Sequence, residues 1–130
     1  MGQKSSIVII DTDILIKIFR GDEEKRLIVK SLDERAAVSI ITAMELHVGT
    51  KSRRRLYELG KKLKTVAIYD VSPSISAIAY NLVKKHNIKH VLFPADAIIA
   101  ATAIENKAPL YTDNIQDYSF IEELQLFKPD

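Results

Sequence analysis

Four acidic residues, Asp11, Glu45, Asp96 and Asp113, stand where apolar runs give way to helices or turns. Taken singly, each has a structural explanation. Asp11 and Asp13 fall at a strand-to-helix junction, where Asp is a favoured N-cap. Glu45 follows Thr42 at capping-box spacing. Asp96 lies in the first turn of a helix opened by Pro94, where its charge complements the helix dipole, and Asp113-Asn114 is an ordinary turn pair. Taken together, the four suggest more. Carboxylates gathered without a counter-charge raise one another's pKa values by repulsion and desolvation, and a divalent cation removes the conflict. The chain has no Cys and no obvious His partner for the set. Hard, oxygen-only donors point to magnesium or manganese rather than zinc.

The elements must bring these residues to one place. Residues 6–10 form a β-branched run that reads as a strand, followed by Asp11-Thr12-Asp13 and a helix carrying Ile14, Leu15, Ile16 and Ile18. Gly21 and Asp22 break it, and Leu27, Ile28 and Leu32 recur at helical spacing before a strand at 37–40. A short helix is expected over 42–48, then a basic helix with the stripe Leu56, Leu59 and Leu63, then a strand at 66–69. Ser72 and Pro73 are the cap and first-turn residue of a helix whose set Ile75, Ile78, Ala79, Leu82 and Val83 follows amphipathic spacing. Pro94 opens another, running to about Asn106. Residues 109–112 make a short strand, and Leu124, Leu126 and Phe127 suggest a last one. Strands alternating with helices imply a parallel sheet covered on both faces. In such a sheet the carboxyl ends of the strands share one edge, where ligands bind. Asp11 and Asp113 directly follow strands, and Glu45 lies one helical turn beyond another.

Composition sets the limits. At 130 residues, with 47% hydrophobic and 28% charged residues, the chain has the size and make-up of one folded domain. The lack of Cys fits a reducing compartment, and the expectation is a cytoplasmic protein. The sequence shows neither a membrane-spanning run nor a secretory signal pattern. Residues 1–6 fit the loose myristoylation pattern, which chance often produces. The net charge of +2 hides an asymmetry: residues 51–64 carry seven Lys and Arg against Glu58 alone, a local +6 that leaves −4 elsewhere. Arg53, Arg54, Arg55, Lys61 and Lys62 are thus candidates for gripping the phosphates of a polyanion such as RNA, although such a run also suits a solvated helix face.

The motifs resemble a known family. Ile9-Ile10-Asp11-Thr12-Asp13-Ile14-Leu15-Ile16 looks like the opening motif of PIN domains, and residues 39–46, with Glu45, resemble their second acidic motif. Residues 96–103, followed by Leu110-Tyr111-Thr112-Asp113-Asn114 and Asp117-Tyr118, are similar to the closing half of the VapC-like toxin branch. The resemblance implies a single-domain, Rossmann-like α/β three-layer sandwich with a mainly parallel sheet. It also implies a metal-dependent endoribonuclease, with one or two Mg2+ or Mn2+ ions held by Asp11, Glu45, Asp96 and Asp113. Thr12, Thr112 and Asn114 have side chains suited to orienting the carboxylates, and Asp117 is a candidate outer ligand. Asp13 stands where Asn or Ser is commoner and reads either as a metal contact or as a cap. The VapC branch further implies a VapB-like antitoxin partner and a homodimer.

Other readings are open to the same residues. A strand ending in Asp-x-Asp also resembles haloacid-dehalogenase phosphatases, but the chain is short for their later motifs and cap domain. A receiver domain would need an acceptor Asp between Asp33 and Asp70, and the sequence has none there. A standalone RNA-processing PIN nuclease and an inactive PIN-like scaffold are further alternatives, the second opposed by the intact acidic set. His86 and His90 are four residues apart and read as surface residues rather than half a metal site. The five tyrosines read mostly as core or boundary residues.

Overall fold

The computed structural model describes residues 7–129. Four short strands, β1 (Val8–Ile10), β2 (Ala36–Ser39), β3 (Ala67–Tyr69) and β4 (Leu110–Tyr111), form one parallel sheet in the order β3-β2-β1-β4. The helices are α1 (Thr12–Phe19), α2 (Glu23–Leu32), α3 (Ile40–Val48), α4 (Arg53–Leu63), α5 (Pro73–His86), α6 (Pro94–Glu105) and the short α7 (Ile115–Tyr118). β1, β2 and β4 are fully buried and almost wholly apolar because both their faces are covered, whereas the edge strand β3 is largely exposed. Ile9, Ala37 and Leu110 point into a core shared with α5 and α6, through Ile75, Ala79, Leu82, Ile99 and Ala103. Val8, Ile10, Val38 and Tyr111 point the other way, toward Ile14 and Leu32 of α1 and α2. Burying each of these larger side chains contributes about 1.5–3 kcal/mol.

The topology places the functional edge. From β1 the chain steps outward to β2 and β3, then returns to the far side of β1 for β4. The order reverses beside β1, so a crevice opens at the carboxyl ends of β1 and β4. Asp11 follows the first of these strands and Thr112 and Asp113 the second.

Several details differ from the sequence-based expectations. Ser6, assigned to the first strand, and the 1–6 pattern lie outside the described residues. The second strand ends at Ser39, not residue 40, because Ser39 caps α3 by accepting from the Ile41 N–H. Thr42 is therefore no cap, and the capping box with Glu45 does not form; Thr42 is fully buried inside α3. Residues 124–127 make only an isolated bridge, Leu110 to Leu126, and not a strand. Leu27 and Leu56 are exposed, while Leu59 and Leu63 carry the buried contacts of α4. His86 is not a surface residue: it is buried against Phe120, its ring centroid 4.9 Å away, and its Nε2 has no hydrogen-bond partner. Tyr57 and Tyr80 are exposed, whereas Tyr111 and Tyr118 are buried.

Candidate active site

Asp11 is the centre of the site. It is the last residue before α1, in extended backbone, and its N–H continues the sheet by donating to the Tyr111 carbonyl at 2.9 Å. The residue is 4% exposed and its side chain is surrounded by donors: the Thr12 N–H at 2.9 Å and the Tyr118 hydroxyl at 3.3 Å on Oδ1, and the Thr112 hydroxyl at 2.7 Å on Oδ2. The donors do not offset what burial costs. Burial first, then the charge of Asp13, push the Asp11 carboxyl up to about 7 against the lowering effect of Thr112.

Asp96 approaches from α6. It sits in the first turn, yet its side chain makes no capping bond and instead meets the same Tyr118 hydroxyl, 3.3 Å from Oδ1. Its pKa is raised, by burial first and then by Asp117, Glu45 and Asp13. Tyr118 is 1% exposed and holds one proton between two carboxylate oxygens; burial and the two acids keep its phenol protonated by raising its pKa. Glu45 comes from α3 and is exposed, with its Oε1 accepting from Thr12 at 2.6 Å. The same Thr12 hydroxyl lies 2.9 Å from Thr42 Oγ1, to which it also points. Three carboxylates from three elements are thereby tied to hydroxyl groups at one edge of the sheet.

The remaining expected residues fall into two groups. Thr12 and Thr112 orient carboxylates through their hydroxyls, while Asn114 enters through its backbone, its N–H donating to Thr112 Oγ1 at 3.0 Å. Asp117 is exposed and acts on Asp96 through charge. Asp13 accepts the Ile14 N–H at 2.8 Å and the Asp113 N–H at 3.0 Å. Asp113 is turned to cations: its Oδ2 lies 2.6 Å from Lys17 Nζ and 3.1 Å from Lys25 Nζ. Partial burial raises its pKa, but the two lysines outweigh that and leave it lowered. Lys17, Lys25 and the Tyr118 hydroxyl are not among the residues expected from sequence. The basic run forms the exposed α4, where Arg54 pairs with Glu58, Lys61 lies over the Tyr57 ring and Lys62 over the Phe19 ring.

Among the described residues, no three His, Cys, Asp or Glu side chains stand together closely enough to enclose an ion as placed. The donor chemistry nonetheless fits a hard cation. Asp11 and Asp96 share one proton donor and carry raised pKa values, the signature of carboxylates lacking a counter-charge. Tyr118→Phe should lower metal affinity or turnover by about 10–100-fold, the usual cost of removing a group that orients a ligand. Titration calorimetry with manganese checks this, and an unchanged affinity together with unchanged turnover would make the hydroxyl incidental.

The PIN domain family matches residues 8–117. A chain of a toxin-antitoxin complex from Klebsiella pneumoniae is 31% identical, with 90% of this chain and 94% of that one covered at a TM-score of 0.78. VapBC2 from Rickettsia felis, bound to a DNA fragment from their promoter, superposes at a TM-score of 0.82 with 24% identity over 95% and 99% of the two chains. DNA-bound VapBC from Salmonella typhimurium gives 0.85 with 21% identity over 93% and 96%. These last two speak for the fold. No curated protein sequence matches the chain.

Proposed function

Because the chain belongs to the PIN domain family, we propose that it is a VapC-like member, a metal-dependent endoribonuclease acting as the toxin of a toxin-antitoxin pair. The observation that carries this reading is the pair of carboxylates, the buried Asp11 and the half-buried Asp96, on either side of Tyr118 at the carboxyl edge of the sheet. Asp11, Glu45 and Asp96 would hold one or two Mg2+ or Mn2+ ions. When bound, such an ion lowers the pKa of a coordinated water and stabilises charge on the leaving oxygen of a phosphodiester. The chain's own groups orient the ligands: Thr112 and the Thr12 N–H fix the Asp11 carboxylate, the Thr12 hydroxyl fixes Glu45, and Tyr118 spans Asp11 and Asp96. Asp13 and Asp117 add negative charge at the rim. The family match favours this over the phosphatase reading.

The partners follow from the same reading. The antitoxin would be VapB-like, by analogy with the VapBC complexes that share the fold. A homodimer is supported by the open groove of Ile41, Met44, Val48 and Ala95, which Glu45 borders, with Met44 54% and Val48 85% exposed. Among the described residues no helix is long and apolar enough to cross a membrane. A cytoplasmic location is proposed to go with RNA as substrate.

RNA would be gripped by α4 through its phosphates. Replacing Arg53, Arg54 and Arg55 together by Ala should weaken RNA binding and reduce the slope of log affinity against log salt by roughly one for each phosphate no longer neutralised, with metal affinity unchanged. Arg54 is already paired with Glu58, so Arg53 and Arg55 should carry most of the change. Fluorescence anisotropy with labelled RNA across a salt series measures the slope, and an unaltered slope would assign the run to solvent. The proposed activity itself is tested by incubating purified protein with labelled RNA and manganese, with and without chelator. Cleavage that persists in chelator would sink the metal-dependent reading.

A further inference from the structure

The sequence motifs make Asp113 a fourth metal ligand, yet its surroundings set it apart from the other three. Asp11 and Asp96 face each other across Tyr118. Asp113 faces two ammonium groups from two helices. Lys17 of α1 reaches its Oδ2 at 2.6 Å, and Lys25 of α2 reaches the same oxygen at 3.1 Å while lying 3.6 Å from Asp22. The Lys25 side chain is only 15% exposed, so this cation is held between two carboxylates and not waving in solvent. The Asp113 N–H donates to Asp13 Oδ2, a second tie between the same loop and α1. A carboxylate so neutralised has little to gain from a divalent ion, and the ion would have to displace two cations to reach it.

The loop that Asp113 anchors is the one that serves the site. Thr112, immediately before it, gives Asp11 its shortest hydrogen bond, and Tyr118, five residues on, spans Asp11 and Asp96. Resting on the metal-nuclease reading above, we propose that Asp113 is a positioning residue and not a metal ligand: Lys17 and Lys25 clamp it, and the clamp holds the β4–α7 segment so that the Thr112 and Tyr118 hydroxyls meet the metal-binding carboxylates. Lys17 and Lys25 thereby become working parts of the site without touching substrate or ion.

The two assignments predict opposite signs. A ligand carboxylate in a repelling cluster, once neutralised, should make the metal-free protein more stable and cost metal affinity steeply. A clamped anchor, once neutralised, leaves two lysines facing each other and should do the reverse. The experiment measures melting temperature in chelator and manganese affinity by calorimetry for the wild type, Asp113→Asn, Lys25→Met, Lys25→Arg and Asp96→Asn. The clamp predicts that Asp113→Asn melts about 3 °C lower and binds manganese within about tenfold of wild type. Lys25→Met, which keeps length and apolar stem, should match it, and Lys25→Arg should restore the wild-type values because only the charge matters. A higher melting temperature for Asp113→Asn with metal affinity lost as in Asp96→Asn would overturn the proposal, and so would a Lys25→Met indistinguishable from wild type. If no protein in the set binds manganese, the nuclease reading fails, while the melting temperatures still decide the clamp: a drop in both Asp113→Asn and Lys25→Met supports it and anything else removes it.

Discussion

Asp96→Asn should lower metal-dependent RNA cleavage by more than about a hundredfold, beyond the 10–100-fold that an orienting residue costs, while leaving the metal-free protein slightly more stable. The substitution keeps the shape of the side chain and removes the charge. If Asp96 served only the helix dipole of α6, the variant would lose at most about 1 kcal/mol of stability and keep its activity. The geometry speaks against that role, because the carboxylate makes no bond to the backbone of its own helix and faces Tyr118 instead. Its raised pKa, from burial and from Asp117, Glu45 and Asp13, means that neutralising it relieves repulsion. Caps affect folding and ligands affect chemistry, so melting in chelator and cleavage in manganese, measured on one preparation, separate the two. Full cleavage by Asp96→Asn would take the residue out of the site.

The metal-free protein should lose stability as pH rises from about 4 to about 7. Asp11 has an ordinary value of 3.8 and a folded value of about 7, so in that window the folded state binds the proton that the unfolded state releases. Stability falls wherever the native state holds more protons, and a shift of this size corresponds to roughly 4 kcal/mol at most, reached above the folded pKa. Asp96 shifts in the same direction. Asp113 shifts the other way, below 3.8, so its contribution is lost only as pH falls beneath this window and does not mask the effect. Bound metal needs both acids ionised, so the stabilisation it confers should grow across the same range. Thermal melts at pH 4.5, 6 and 8 with chelator and with manganese check both halves. Metal-free stability that is flat or rising between pH 4.5 and 7 would show that Asp11 is ionised in the fold without help.

Much of this arrangement is legible in the sequence because it rests on local pattern. The alternation of apolar runs and helical stripes implies the parallel sheet, and a parallel sheet puts the residues after its strands on one edge, which is why Asp11 and Asp113 can be assigned to that edge before any contact is visible. Thr12 and Thr112 are readable as orienting groups because their hydroxyls stand next to the acidic residues of the motifs. What escapes is non-local. No spacing rule announces that Tyr118 reaches Asp11 from 107 residues away, or that Lys17 pairs with Asp113 from 96 residues away. The capping box at Thr42 and Glu45 matches a motif by spacing alone; Ser39 takes the cap because the strand ends there, and Thr42 turns inward to Thr12. His86 is a different kind of miss. It continues the buried stripe Ile75, Ala79, Leu82 by a further four residues, so the period that identifies α5 already places it in the core.

Whether the carboxylates at the sheet edge hold an ion that cuts RNA is measured most directly by following end-labelled RNA with wild-type protein and Asp96→Asn, each with manganese or chelator, and identifying the new ends. The predicted result is cleavage by the wild type only with manganese, none by the variant, and linear phosphate termini, since attack by water leaves no 2′,3′-cyclic phosphate. Equal cleavage by both proteins, or cyclic phosphate ends formed in chelator, would contradict it.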